Sequence, residues 1–321
     1  MRAAVDSSWA EKVVVPRSQL LKRGKFIQGE IQSVTVDKVT LADGTELTFD
    51  YLVCATGAFS ISVGEPNLDL KTKSEMIQSF KNSVAALQKA NKVAIIGGGS
   101  VAVELAGEIR HKYPNKSITL IHSGKTVMVE LPEKAQKKIH EKLAKKNIQC
   151  VLNVKADLDF QEFSSTGFLV GDRVIKTTGD ATVDADIVYC CTGTRVNSSF
   201  YPEEWLDGNK RIKVSETFQL AGHPNVFAVG DVCNSKNLKM GYTAQLHAGI
   251  VSKNVLLSSK GNKSLKVFKP SDTVIMIVPI GSNDGVTVLP FGTFGSTTTK
   301  MIKAKSLFVG QTWKANNQKL K

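Results

Sequence analysis

The chain has 321 residues, 42% apolar and 22% charged, which is enough to bury a core in about two domains. Its 42 basic residues outnumber 29 acidic ones for a net charge of +13, but they are scattered; the densest run, Lys134, Lys137, Lys138, Lys142, Lys145 and Lys146, reads as a solvated helix face, so no nucleic-acid partner is expected. There is no apolar run of about 18 residues to span a membrane, no apolar signal-peptide core and no Met-Gly start, while five cysteines without a C-x-x-C pair argue for a reducing compartment and against a metal site or redox disulfide.

Taken in chain order, strands are expected at Val13 to Val15, Phe26 to Ile31, Val34 to Thr40 and Glu46 to Phe49, with a turn at Ala42-Asp43-Gly44. Tyr51 to Ala55 reads as a buried strand ending in Ala55-Thr56-Gly57. A loop with Gly64 and Pro66 leads to a helix over Ser74 to Ala90, where Met76, Phe80, Val84 and Leu87 share one face. Lys92 to Ser123 reads as strand, loop, helix and strand, and Pro132 to Lys146 as an amphipathic helix. Further strands are expected at Ile148 to Leu152, Leu158 to Phe160, Gly167 to Val170, Val174 to Thr177, Ala185 to Cys191 and Asn225 to Val229, then a helix over Tyr242 to Ser258. From about Lys266 the character changes, with strand candidates at Thr273 to Pro279 and Gly285 to Leu289 before a Gly/Ser/Thr stretch.

The strongest chemical signal is Gly97-x-Gly99-x-x-Ala102, set between the apolar strand Val93 to Ile96 and a helix carrying Val101, Leu105 and Ile109. Gly97 permits the tight turn and Gly99, with its neighbour Gly98, lets backbone approach a pyrophosphate. Ala102 is small enough for the helix to pack on the strand. The helix N-terminus offers free N–H groups to the phosphates. Strand, helix and second strand all occur at the right lengths, which is the context that a nicotinamide dinucleotide site requires. The second strand ends in His122-Ser123-Gly124-Lys125, with no acidic residue to hold a ribose 2′-hydroxyl. Lys125 is either a 2′-phosphate contact, favouring NADPH alongside NADH, or a plain surface lysine. Glu104 is either a group near the nicotinamide or a carboxylate that favours a helix N-terminus.

Three more motifs close strands: Ala55-Thr56-Gly57, Cys191-Thr192-Gly193, and Asn225 to Asp231 with its Gly230-Asp231 pair. Their order around one G-x-G-x-x-A resembles the two-dinucleotide flavoprotein reductases. The stretches GGGSVAVELAGEI, ITLIHSG, KMGYTAQLHA, SNDGV and KAKSLFVGQTWK are similar to the ferroptosis-suppressor-type, apoptosis-inducing-factor-like NAD(P)H:quinone oxidoreductases over nearly the whole chain. The resemblance implies an α/β fold with two Rossmann-like dinucleotide-binding domains, the NAD(P)H domain inserted in the FAD domain, plus a small C-terminal α+β region. The corresponding expected domains are an FAD-domain remnant over 1–90, the NAD(P)H domain over 91–195, the second FAD part over 196–262 and the family-specific region over 263–321.

It also implies FAD and NADH or NADPH as cofactors, a quinone such as ubiquinone as acceptor, and no metal. Thr192 and Gly193 join the NAD(P)H contacts. Arg2, Phe26, Ala55, Thr56, Gly57, Gly230, Asp231, Lys239 and Met240 become FAD contacts, Phe26 having a strand-core role as its alternative. Glu104, Lys303 and Phe308 border the reacting groups, and His247 is a candidate proton donor or a buried helix residue. Met1 matches a position just after the family's own FAD fingerprint. About fifty residues of one βαβ beginning are therefore expected to be missing, with unpaired strand edges as a result. The expected function is an FAD-dependent NAD(P)H oxidoreductase reducing a quinone. The alternatives are a dehydrogenase with a protein acceptor, and a catalytically dead NAD(P)H-binding relative. A cytoplasmic location is expected, with peripheral membrane contact through the basic surface as an option; the oligomeric state is left open.

Overall fold

The computed structural model describes residues 1–63, 70–163, 166–271 and 273–320; Gly64 and Pro66 lie outside the described residues. It divides into two compact units: Met1–Phe26, Ser60–Gly193 and Thr273–Lys321 form the first, and Ile27–Phe59 with Thr194–Asp272 the second.

The first unit is built on a five-stranded sheet in the order Ile148–Val151, Ser117–Ile121, Lys92–Ile96, Thr182–Cys190, Phe168–Lys176. The first four strands run parallel and the last antiparallel. Its central strands are near-continuous apolar runs because both faces are covered: Val93 to Ile96 and Ile118, Leu120 and Ile121 are all buried. The helix Lys73–Lys89 starts on a capping box, Thr72 accepting from the Glu75 N–H and Glu75 accepting from the Thr72 N–H. The helix Ser100–Lys112 buries Val103, Leu105, Ala106 and Ile109, and Pro114 lies just beyond its end.

The C-terminal segment shares this core. The strands Met276–Pro279, Gly285–Leu289 and Gly292–Phe294 form an antiparallel meander, and its Val278, Ile280, Val286 and Val288 pack in one cluster with Leu105 and Ile109. Gly107 makes this possible, since a Cβ there would sit 2.5 Å from the Ile280 Cα. Asp284, in the turn of the meander, binds Lys142 of the helix Glu133–Lys145 at 2.6 Å and Lys146, its C-cap, at 3.4 Å. Burial opposes ionisation of Asp284, but Lys142, the Ser296 hydroxyl and the Gly285 N–H hold its carboxyl below the usual range.

Several elements differ from expectation. The short strands expected at 167–170 and 174–177 are one nine-residue strand, Phe168–Lys176. Gly171, with φ +127, continues the strand where Gly171-Asp172 looks like a turn. Instead of a strand at 158–160, a 3-10 turn spans Phe160–Phe163 and buries Phe163. Val13 to Val15 is not a strand; Ala10–Val13 is a helical turn anchored by buried Ala10. Phe26 to Glu30 has no regular structure and Phe26 is 48% exposed, so its expected strand-core role is not realised.

The second unit holds an antiparallel sheet of Ile31–Val34, Lys38–Leu41 and Glu46–Thr48, and a second sheet in the order Gln219–Leu220, His223–Ala228, Leu52–Cys54. His223–Ala228 and Leu52–Cys54 run parallel, with Leu52–Cys54 at the edge and Val53 43% exposed. Tyr201, Trp205, Phe218, Phe227 and Val251 form the core, the last supplied by the helix Gly241–Ser258.

Candidate functional site

In the first unit the strand Lys92–Ile96 runs through Gly97 and Gly99 into the helix Ser100–Lys112. Gly97 has φ +133, and a Cβ there would lie 2.3 Å from the Cys191 carbonyl oxygen, so only glycine fits. Gly99 is the N-cap, and a Cβ on it would meet nothing within 4 Å. The space before the helix N-terminus is thus open to a phosphate. Ala102 is fully buried behind it. Gly98 has a role that its motif does not announce: a Cβ would come within 2.5 Å of the His122 ring, and one on Gly124 within 2.7 Å of His122 Nε2. His122 is therefore seated between two glycines. Ser123 and Lys125 are exposed, and the Lys125 ammonium has no partner among the described residues. Gly193 has φ +60 with open space beside it, and Thr192 Oγ1 lies 3.3 Å from Cys190 Sγ.

The same helix carries Glu104, whose Oε1 accepts from Lys303 Nζ at 2.7 Å. Lys303 also donates to the Ile277 carbonyl at 3.3 Å. The pair is partly buried, with side-chain exposures of 25% for Lys303 and 16% for Glu104. Lys303 lies in a π turn, Lys300–Ala304, a widened helical geometry that is common at functional sites. Leu307 and Phe308 follow with φ +49 and +58. Two successive non-glycine residues in the left-handed region store strain, at about 1–3 kcal/mol each. Arg2 is buried in this unit; its guanidinium is taken up by Glu108 and by the Ala304 and Lys305 carbonyls.

In the second unit the motif residues close two neighbouring strands. Thr56 Oγ1 donates to the Asn197 carbonyl at 2.7 Å, Ala55 is exposed, and Gly57 has φ +69 with nothing near its Cβ direction. Gly230 has φ +72, and a Cβ there would meet the Ala244 Cβ at 3.3 Å. The Asp231 carboxylate accepts no hydrogen bond from the described residues. Lys239 Nζ is spent on the Cys233 and Ser235 carbonyls at 2.8 and 2.7 Å; burial lowers its pKa. Met240 occupies the N-cap position of the helix Gly241–Ser258 without a side-chain hydrogen bond.

His247, on that helix, is 1% exposed and lies 4.5 Å from the Phe218 ring and 4.8 Å from the Phe268 ring, centroid to centroid. Its Nδ1 accepts the Gly230 N–H at 3.3 Å, and its Nε2 has no partner among the described residues. Burial, with a smaller contribution from Lys239, brings its pKa down to about 4. At neutral pH the ring is uncharged and holds the Gly230 turn from behind.

The sequence matches the pyridine nucleotide-disulphide oxidoreductase profile over residues 15–249. It is 34% identical to apoptosis-inducing factor homolog B of Dictyostelium discoideum, across 96% of this chain and 84% of the other. It is 31% identical to human ferroptosis suppressor protein 1, across 99% and 85%. This chain belongs to the pyridine nucleotide-disulphide oxidoreductase family. The sulfide:quinone oxidoreductase of Aquifex aeolicus has the same fold, with a TM-score of 0.65, 19% identity and coverage of 91% of this chain and 76% of that one.

As a member of this family the protein is an NAD(P)H-dependent flavoprotein oxidoreductase that uses FAD. The residues present fit the nicotinamide dinucleotide and the ribityl part of FAD, while Arg2 and Lys239, implied at FAD, are engaged by protein groups. Gly97, open Gly99 and the helix N-terminus suit the nicotinamide pyrophosphate. Gly57, Gly230 and the unpaired Asp231 carboxylate suit a polyol such as the ribityl chain. Among the described residues one glycine loop of the pyrophosphate type occurs, at Gly97 to Ala102.

All five cysteines are free. Burial pushes the thiols of Cys54 and Cys150 up to about 11 and that of Cys191 to about 12. These are poor nucleophiles at neutral pH. No group of metal-ligating side chains occurs among the described residues.

Proposed function

We propose that this flavoprotein passes the electrons of NAD(P)H to a quinone, with Glu104 and Lys303 at the acceptor. The observation that carries this reading is the ion pair itself, 2.7 Å long and partly buried, on the helix that opens at the dinucleotide loop. Reducing a quinone to a quinol takes two electrons and two protons. Bound flavin supplies the redox chemistry, accepting hydride and returning electrons. The protein must then steady charge developing on a quinone oxygen and provide a proton. Lys303 Nζ, held by Glu104 and the Ile277 carbonyl, is a cationic donor suited to both tasks. Phe308, the second of the two strained residues, would offer an apolar wall to the quinone ring. The free cysteines, with Cys54, Cys150 and Cys191 held protonated by burial, favour a small-molecule acceptor over a disulphide. A lipophilic quinone would bring the protein to a membrane surface from the cytoplasm, where its net charge of +13 favours anionic lipid.

The test uses FAD-loaded protein, yellow with absorbance near about 450 nm, NADPH and ubiquinone-1. Lys303→Met and Glu104→Gln are expected to lower quinone turnover by about 10-fold or more, as loss of a positioned proton donor does, while NADPH affinity stays within about twofold. A loaded protein that reduces a cytochrome but no quinone would move the reading to a protein acceptor. One that binds NADPH without any turnover would make it a dead relative.

A further inference from the structure

Glu108 lies one helical turn beyond Glu104, so the helix Ser100–Lys112 presents two carboxylates along one line. Each meets a cation from a distant part of the sequence. Glu104 meets Lys303; Glu108 meets Arg2 in a forked pair, Nε to Oε2 at 2.9 Å and Nη2 to Oε1 at 2.8 Å. Arg2 and Glu108 are far more buried than the outer pair, with side-chain exposures of 7% and 6%.

The guanidinium does a second job. Its Nη2 donates to the Ala304 carbonyl at 2.6 Å and its Nη1 to the Lys305 carbonyl at 3.3 Å. These two residues directly follow Lys303, at the end of the π turn. Helix ends leave carbonyls without N–H partners, and here a buried arginine meets two of them. Trp9 covers the guanidinium, its ring centroid 4.6 Å from Arg2 Cζ.

We propose that Arg2 is a positioning residue for the Glu104–Lys303 pair: it ties the segment after Lys303 to the helix bearing Glu104 and so fixes where the Lys303 ammonium stands. A lysine side chain has several rotatable bonds, and its ammonium is placed only as well as its backbone is. The planar fork of arginine can serve a carboxylate and two carbonyls at once, whereas a lysine cannot. The role rests on the reading of Glu104 and Lys303 given above, but its geometric part is measurable without any acceptor.

The experiment follows acylation of individual lysines by an N-hydroxysuccinimide ester, read by peptide mass spectrometry on the intact chain. Lys142, paired with Asp284 in the same unit, is the internal control. Arg2→Met is expected to raise the Lys303 rate about fivefold, the scale of one weakened ion pair, with Lys142 within about twofold. Arg2→Lys keeps a charge opposite Glu108 but gives up the fork, so it preserves folding and should still raise Lys303 about threefold. An unchanged Lys303 in both variants overturns the proposal, and so does a parallel rise at Lys142, which would mean general loosening. In quinone turnover, the losses from Arg2→Lys and Lys303→Met should be non-additive; additive losses also overturn it. If Lys303→Met leaves turnover untouched, the proposed function falls while the labelling result stands on its own.

Discussion

His247 offers a sharp test of the electrostatics. The perturbation is His247→Phe, which fits between Phe218 and Phe268 but removes the acceptor for the Gly230 N–H. An unfolded imidazole takes up a proton near its ordinary pKa of about 6.5, whereas the folded one, held down by burial and then by Lys239, does so only near about 4. The sign follows from linkage: between these values the unfolded state binds more protons, so stability is full above the upper value and is lost as pH falls towards the lower. From about pH 7.5 to about pH 5 the loss amounts to about 2 kcal/mol, or about 4–8 °C in melting temperature. At the higher pH the variant should be less stable by about 1–3 kcal/mol, the cost of a buried unpaired N–H. On acidification that gap should close by about 2 kcal/mol, because only the wild type carries the titration. Trp205 is the single tryptophan between 194 and 272, so in a background carrying Trp9→Phe and Trp313→Phe its fluorescence reads the second unit. Parallel melting curves for the two proteins across this pH range would refute the assignment of a neutral, buried His247.

Two further predictions concern the dinucleotide loop. Gly99→Val should weaken NADPH binding by about 100-fold or more in calorimetry, since the side chain would fill the pyrophosphate's place. Its melting temperature should fall by only a few degrees, because the added Cβ meets nothing within 4 Å and the cost is that of a poorer N-cap residue. Lys125→Glu should raise the KM for NADPH about tenfold and leave that for NADH within about twofold, the expected effect of opposing a 2′-phosphate with like charge.

The parts of the fold that the sequence discloses are those written locally. Gly97-x-Gly99-x-x-Ala102 is legible because turn, close approach and helix packing all fall within six residues. The helix Lys73–Lys89 is legible for the same reason, through its periodicity. The long strand Phe168–Lys176 was obscured by a glycine that normally means a turn, and by Val170 and Val174 facing solvent. Pairings across the chain leave no local trace. Glu104 and Lys303 are 199 residues apart, and only a family resemblance points to both. Arg2 and Glu108 are separated by 106 residues, and neither position looks unusual by itself. Burial reverses the obvious reading of two groups. Lys239 is a free cation in the sequence but a strut for two carbonyls in the fold, and His247 titrates well below neutrality.

The unreactive thiols have a practical consequence. Cys54, Cys190 and Cys233 are buried, and burial holds Cys54, Cys150 and Cys191 almost wholly protonated at neutral pH. Maleimides attack thiolates, so the native chain resembles a cysteine-free background for conjugation. A single cysteine introduced at exposed Val129, beside Met128 whose N–H donates to the Gly98 carbonyl, would carry a fluorophore near the dinucleotide loop without prior removal of the other five. Nucleotide arrival could then be followed optically in an otherwise unaltered protein.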